Sequence, residues 1–462
     1  MQQCSPLSGQ TDDTQLAVRY GGAVPRYTSY PTAPHFSADV NASRYGGWLQ
    51  DIGAGDDVSV YLHIPFCQEM CWYCGCFTKI VRKYAPVSNY VDSLLMEIDL
   101  AASQMAGPAN ARFIHWGGGS PTILQIEDWH QLLNRLRRHF VLDDETEIAV
   151  EIDPRTMTED YIRGLVSAGV NRVSIGVQEF DADIQRAINR IQPFEVTSQV
   201  VDWIHAAGID NLNLDLMYGL PRQTLSHVER MTMRALSFRP SRIALFGYAH
   251  VPWMKSHQRM INDNELPGVA DRWQQAQLAA SILVEAGYVR VGFDHFALPT
   301  DPMANAAGGV GRNFQGYTSD TAAHLIGFGA SAISSLPQGY AQNVASLPSY
   351  MASVGNGQLP TSRGFELSRD DKLRRYVIER LMCDMTVDID AACKRFGAAG
   401  DVLDESLSRL APMIADNMVE LHGRTIHVRE TGRPLVRNVA AVFDAYLETV
   451  NPAQGPRHSA AI

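Results

Sequence analysis

The chain has 462 residues, 45% hydrophobic and 19% charged, enough to bury a large core in two or three units or in one α/β barrel with appendages. Its formal net charge of −11 argues against nonspecific nucleic-acid binding, and an anionic substrate would need a local cluster of arginines to overcome that field. No uncharged apolar run reaches the roughly 18 residues of a membrane span, and the polar stretch from Met1 to Tyr20, with Asp12 and Asp13, has no signal-peptide core, so neither is expected.

In chain order, strand-forming runs are expected at Val58–Pro65, Arg112–Trp116, Glu147–Ile152, Arg172–Val177, Asn211–Met217 and Arg242–Tyr248. Between them, apolar residues at helical spacing predict helices over Tyr90–Met105, Glu127–His139, Glu159–Ala168, Val196–Ala207 and Leu225–Ser237. Gly107-Pro108, Gly169 and Gly208 mark helix ends. Six βα units in a row imply a parallel sheet, either an open twisted sheet or an incomplete TIM-like barrel. A helix over Ala270–Ala286 then leads to an edge strand in Tyr288–Phe293. Residues 300–345, rich in Gly, Ala, Asn and Ser, read as loop-like. From about 365 the pattern is three helices, a hairpin (Met418–Leu421, Thr425–Arg429) and a helix over Val439–Val450, an order resembling a winged helix. With 14 Lys and Arg against 15 Asp and Glu over residues 361–462, that region has no basic footprint for DNA. The tail Asn451–Ile462 reads as disordered.

The seven cysteines are Cys4, Cys67, Cys71, Cys74, Cys76, Cys383 and Cys393, an odd number with four packed into ten residues. That pattern is unlike a secreted disulfide framework and implies thiols in a reducing cytoplasm. Thiolates at i, i+4 and i+7 in a loop just past a strand can wrap round one point at the end of a parallel unit where ligands bind. Three close thiolates suit an iron–sulfur cluster with one iron left open. The alternatives are a zinc site, which would normally draw on a second Cys or His pair, or a redox Cys71-x-x-Cys74. Cys383 and Cys393 fall in helical patterns and read as core thiols, and Cys4 as an inert thiol in a tail.

The run Cys67-x3-Cys71-x2-Cys74 on the first βα loop resembles the radical S-adenosylmethionine superfamily, and Gly117-Gly118-Gly119-Ser120-Pro121 after the second strand resembles its glycine motif. Pro25-Arg26-Tyr27-Thr28-Ser29-Tyr30-Pro31, Cys74-Gly75-Cys76 and Gly311-Arg312-Asn313-Phe314-Gln315-Gly316-Tyr317 narrow the resemblance, over nearly the whole chain, to the oxygen-independent coproporphyrinogen III oxidase family. The resemblance implies an α/β fold: a partial (βα)6 TIM-like barrel (55–300), preceded by an N-terminal arm (1–54). A Gly-rich connecting segment (301–360) and a mainly helical, winged-helix-like C-terminal domain (361–462) would follow. It implies a 4Fe–4S cluster on Cys67, Cys71 and Cys74 and two molecules of S-adenosylmethionine, one cleaved to a 5′-deoxyadenosyl radical. That radical would start the decarboxylation of two propionates of coproporphyrinogen III to vinyl groups, giving protoporphyrinogen IX.

Motif-matched positions for the cluster-bound S-adenosylmethionine are Tyr61, Tyr73, Gly118, Glu151 and Ile333; for the second, Gly119, Ser120, Gln178, Arg190, Asp215 and Ala249. Position 120 is Ser where the family often has Thr, and both supply a hydroxyl. Arg26 and Arg312 are candidates to pair substrate carboxylates, against a reading as surface salt bridges. Cys76 is either a proton or hydrogen donor or a buried thiol; His63 reads as structural or as supporting the cluster from behind, and His295 is left open. The expected partners are an electron donor such as flavodoxin or ferredoxin and an unidentified electron acceptor, with the chain a monomer. A haem chaperone and a radical methyltransferase of the same superfamily are the alternatives.

Overall fold

In a computed structural model that describes residues 10–305 and 309–447, all six expected strands form: β1 Asp57–Ile64, β2 Asn110–Gly118, β3 Glu147–Ile152, β4 Arg172–Gln178, β5 Leu212–Tyr218 and β6 Arg242–Gly247. Each pairs in parallel with the next in sequence. The intervening helices, Ala85–Ala102, Ile126–His139, Glu159–Ala168, Phe194–Ala206 and Leu225–Ser237, start and stop within a few residues of their sequence signals. Gly169 ends its helix in the left-handed conformation at φ 110°. Val58, Val60, Leu62, Ile64, Ile175 and Leu214 are almost wholly buried, as expected for strands covered on both faces.

Past β6 the sequence reading needs one correction. Residues 300–345 are not loop-like; they carry most of an extension of the sheet. Beside the edge pair β7 Val289–Val291 and β8 His295–Ala297, the chain forms a short hairpin (Gly311–Asn313 with Gly316–Thr318), then β9 His324–Phe328, β10 Ile333–Leu336, β11 Gly339–Asn343 and, after a helix, β12 Thr361–Glu366. β9 lies parallel to β1 on the side away from β2. The strand order is β12-β11-β10-β9-β1-β2-β3-β4-β5-β6-β8-β7. Strands β12 and β7 are its two edges, so the barrel is incomplete. The misleading glycines are a packing requirement. A Cβ on Gly339 would lie 2.0 Å from the Phe365 carbonyl oxygen, and one on Gly327 2.8 Å from that of Ile333, so close backbone approach excludes a side chain.

A second, smaller core joins the two ends of the chain. Ala17, Val24, Tyr27 and Tyr30 of the arm pack with Trp273 of the barrel and with Leu373, Val377, Leu381 and Phe443. The C-terminal region is helical, with a three-stranded sheet in which Thr386–Asp388 adds a strand to the expected hairpin. Its last helix, expected over Val439–Val450, instead spans Val436–Ala441, and residues from 448 on, including the tail Asn451–Ile462, lie outside the described residues, as does Cys4. Polar groups just past that helix are committed elsewhere. The Phe443 carbonyl accepts from Arg374 Nη1 at 3.1 Å, and Asp444 accepts from Tyr27 OH at 3.0 Å and from the Tyr446 amide at 2.8 Å. Among the described residues no helix is long and apolar enough to cross a membrane.

One buried carboxyl ties the sheet extension to the barrel. Glu97, on the helix after β1, accepts from Gly329 N (2.7 Å), Asn343 Nδ2 (2.6 Å) and Tyr350 OH (2.6 Å). Burial pushes its pKa up to about 7, and Glu179 is pushed to about 7 by burial as well. A carboxyl whose folded pKa is raised holds its proton more tightly in the native state, so its stabilising contribution is fullest below the unfolded value and is lost as pH rises towards 7. Stability should therefore fall with pH between roughly 4.5 and 7. Thermal melts across that range should show a shallower slope for Glu97→Gln, whatever its absolute stability; an unchanged slope refutes the assignment.

Candidate active site

The ends of the parallel strands open on one cavity of about 720 Å³. Cys67, Cys71, Cys74 and Cys76 line it together with Tyr73, Gly118, Gly119, Ser120, Glu151, Gln178, Arg190, Asp215, Ala249, Arg26 and Arg312. Of the positions matched to S-adenosylmethionine in the sequence, Tyr61 and Ile333 are not in that lining, nor are His63 and His295. Tyr61 sits behind it, its hydroxyl 2.9 Å from His63 Nδ1 and its ring stacked on His115. Ile333 begins β10 and packs near Phe36, Tyr340 and Leu367.

The cysteine loop has almost no regular structure of its own and is held by its neighbours. Trp72 N donates to the Ile188 carbonyl (2.9 Å) and Asn189 Nδ2 to that of Met70 (2.8 Å). From the loop after β6, Gln258 Nε2 reaches the Tyr73 carbonyl (3.0 Å), His257 Nε2 that of Cys74 (2.7 Å) and Lys255 Nζ that of Cys76 (3.2 Å). Donors are aimed at each sulfur: Thr78 Oγ1 at Cys67 (3.2 Å), Arg190 Nη1 at Cys71 (3.5 Å) and the Cys76 amide at Cys74 (3.4 Å). Arg155 Nη2 adds a longer contact to Cys71 (3.8 Å). Donors aimed at sulfur stabilise thiolates, so the set fits an iron–sulfur cluster. Burial pushes the Cys67 thiol up to about 11, whereas hydrogen bonding from Cys76 brings Cys74 down to about 6. Cys76 lines the cavity beside these three thiols.

Packing against His63 requires glycine in the turn after β2. Gly118 sits at φ 111°, and a Cβ there would lie 2.5 Å from the His63 ring. His63 spends both nitrogens on the protein, with Tyr61 OH and with the Phe77 carbonyl (3.1 Å), which makes it structural. Glu151 faces the same turn: it accepts from His115 Nε2 at 3.0 Å and, weakly, from Gly118 N at 3.4 Å, with 38% of its side chain exposed.

Further round the sheet, Gln178 ends β4 at φ 68°, a left-handed position that costs a non-glycine residue about 1 kcal/mol and is typical of functional sites. Arg190 is 6% exposed; Nη2 donates to the Gly176 carbonyl at 2.6 Å and stands 3.5 Å from Asp153. Asp215 accepts from Asn213 Nδ2 (2.8 Å) and Ser174 Oγ (3.2 Å), and burial, reinforced by Glu151, raises it to about 6. Arg312 lies over the Tyr317 ring at 4.4 Å with Asp294 Oδ1 at 3.8 Å, so it is a cavity-wall residue and not a surface salt bridge. His295, left open by the sequence, is buried against Asp294 (2.6 Å). Arg155, Thr78, Lys255, His257 and Gln258 were missed, because nothing local in the sequence announces contacts made across the fold.

Residues 61–235 match the model of the radical SAM superfamily, and residues 367–435 that of the HemN C-terminal domain. The oxygen-independent coproporphyrinogen III oxidase of Bradyrhizobium diazoefficiens is 49% identical over 94% of this chain and 97% of its own length. The chain belongs to the oxygen-independent coproporphyrinogen III oxidase family. The family protein of Pseudomonas aeruginosa is 37% identical, over 95% of this chain and 97% of its own. The structure of coproporphyrinogen III oxidase from Escherichia coli, described as a radical SAM enzyme, superposes with a TM-score of 0.87 at 36% identity, covering 91% of this chain and 98% of that one. Radical SAM family membership carries with it a 4Fe–4S cluster and S-adenosylmethionine, the groups that the sulfur donors fit.

For this family member, Gly118→Ala should lose about 2 kcal/mol or more, since it adds backbone strain to a clash with a buried ring. Gly47→Ala, on a helix with nothing within 4 Å of the new methyl, should be neutral or slightly stabilising. Equal denaturation midpoints for the two variants would remove the packing argument.

Proposed function

We propose that the chain is an oxidoreductase of porphyrin and haem biosynthesis that decarboxylates two propionate side chains of coproporphyrinogen III to vinyl groups, without oxygen, giving protoporphyrinogen IX. The observation that carries this reading is the sharing of one cavity by the three thiols of the 67–74 loop, the polar strand ends of β2 to β5 and an arginine-rich wall. Each propionate must lose carbon dioxide, a β-hydrogen atom and one further electron. That β-hydrogen is far too weakly acidic for a side-chain base, so the cofactor has to do the hard step. Bound here, the cluster and S-adenosylmethionine supply reductive bond cleavage and hydrogen-atom abstraction.

The protein's own residues hold and orient. Cys67, Cys71 and Cys74 are the cluster ligands in this reading, with Thr78, Arg155 and Arg190 donating to their sulfurs. Glu151, beside Gly118, accepts the ammonium of the cluster-bound S-adenosylmethionine, and Tyr73 packs near it, with Tyr61 and Ile333 supporting from outside the lining. A second S-adenosylmethionine is assigned to Gly119, Ser120, Gln178, Arg190, Asp215 and Ala249. Asp215 suits a ribose hydroxyl because it is buried among donors yet faces the cavity. Arg26 and Arg312 pair substrate carboxylates. Cys76 holds a proton or hydrogen at its sulfur on the cavity wall beside the cluster ligands. The arm segment from Val24 to Ser29, with Thr32, forms one wall of the cavity. The electron donor is a flavodoxin or ferredoxin, the acceptor is a separate molecule, and the chain works as a cytoplasmic monomer in this reading.

The test is anaerobic reconstitution with iron and sulfide, then assay with coproporphyrinogen III, S-adenosylmethionine, a reductant and cell extract. Protoporphyrinogen should form with methionine and 5′-deoxyadenosine and without S-adenosylhomocysteine, whose appearance would favour a methyltransferase. Cys71→Ala should abolish both cluster absorbance and turnover. Cys76→Ser should keep the absorbance and lose turnover by about tenfold or more, the usual minimum for removing a proton-transferring group. Haem binding without turnover would replace the oxidase by a chaperone.

A further inference from the structure

Four arginines from four distant parts of the chain meet at the side of the cavity formed by the arm and the end of β6. They are Arg26 on the arm, Arg272 on the helix after β6, Arg312 on the hairpin 311–318 and Arg437 in the C-terminal domain, and all four line the cavity. Their anchoring is regular. Arg26 Nη2 donates to the Gly247 carbonyl (3.2 Å) and Arg272 Nη2 to the next one, Tyr248 (2.8 Å), which sets these two heads side by side at the end of β6. On the arm, Arg437 donates from Nη2 to Val24 and from Nε to Pro25 (3.0 Å), and Arg312 Nε to Arg26 (3.4 Å), so three consecutive carbonyls each take a guanidinium.

Charge is left over. Among the described residues Asp294 is the carboxylate facing this group, and it is already paired with His295 at 2.6 Å. Burial alone would raise Asp294, yet Arg312, His295 and Arg26 hold it below the usual carboxylate range. Burial, with mutual repulsion, lowers Arg26, Arg272 and Arg437, the last to about 9. Arg272 Nε is buried with no hydrogen-bond partner, and Arg312 Nη1 has only the 3.8 Å approach to Asp294. Unpaired buried guanidinium nitrogens in a wall of like charge are costly unless an anion completes them.

We propose that Arg26, Arg272 and Arg312 form one basin that binds the carboxylates of the substrate not undergoing reaction, with Arg437 as a positioning residue that fixes the arm carrying Arg26. The assignment of Arg272 and Arg437, and with it a part for the C-terminal domain in the substrate site, goes beyond the oxidase reading but rests on its four-carboxylate substrate. Planar forks with free N–H groups suit carboxylates, and contacts that are unchanged between ground state and transition state lower KM without raising kcat.

The experiment uses the full-length, cluster-loaded protein and an unreactive probe, coproporphyrin III, with its uncharged tetramethyl ester as control. Fluorescence titration should show Arg272→Gln weakening coproporphyrin by about tenfold or more, as loss of a charged hydrogen-bond donor does, with partial recovery in Arg272→Lys and no change for the ester. Arg437→Lys, which keeps the charge but cannot hold two carbonyls, should also weaken coproporphyrin and spare the ester. Arg272→Lys should raise KM several-fold with kcat within about twofold, the signature of lost uniform binding. Coproporphyrin affinity within about twofold of wild type in folded, cluster-loaded Arg272→Gln would overturn the basin, and equal loss of probe and ester would overturn it too. Should Arg272→Gln fail to fold, an unchanged KM in Arg272→Lys decides against it. Arginine-dependent binding without decarboxylation would leave the basin standing and remove the oxidase reading. Turnover with no arginine dependence would do the reverse.

Discussion

Parallel pairing of β9, β1 and the strands through β6 sends the C-terminal end of every strand to the same side of the sheet, and the site exists because of that. No stretch of sequence brings Cys71, Glu151, Gln178 and Asp215 together; register does. Ile64 pairs with Gly118, Glu151 with Ser174 and Asp215 with both Gly176 and Ala244. A slip of one residue in any of these pairs would turn the polar strand ends away from the cavity. The almost wholly apolar strand faces, Val60, Leu62, Ile114, Ile175 and Leu214 among them, fix that register through burial, so the core determines the position of the chemistry.

Electrostatics divides the cavity by function. A chain of net charge −11 concentrates guanidinium groups where they face sulfur and carboxylate. Near the thiols, Arg155 and Arg190 share Asp153, at 2.5 and 3.5 Å, and Glu69 approaches Arg155 at 3.6 Å, so each guanidinium there has a carboxylate partner. Towards the arm and the end of β6, Arg26, Arg272 and Arg312 outnumber the paired Asp294 among the described residues. The low dielectric of a walled cavity strengthens both arrangements.

Sequence reasoning reached the six central strands because apolar runs between periodic helices are a local signal, and it picked out the three cysteines that line the cavity together because their spacing is dense and local too. It failed over residues 300–345 for a physical reason: glycine at Gly327 and Gly339 reads as flexibility, whereas here it permits backbones to touch. The last helix was misplaced because its end depends on Tyr27 and Arg374, far away in sequence. Ile333 and Tyr61, taken from the motif, stand outside the cavity lining, and Arg272 and Arg437 line it without any local mark. Residues whose meaning comes from neighbours hundreds of positions away are invisible to periodicity.

The interlock between the arm and the C-terminal domain has a consequence for the order in which the protein is made. The thiols and most of the barrel leave the ribosome long before Arg437, which grips the carbonyls of Val24 and Pro25. Until then the arm is held by the barrel side only, through Arg26 on the Gly247 carbonyl, Arg312 on the Arg26 carbonyl and Tyr340 on Tyr30. The arm is therefore fastened in two stages, first by the barrel and its sheet extension and last by the C-terminal domain.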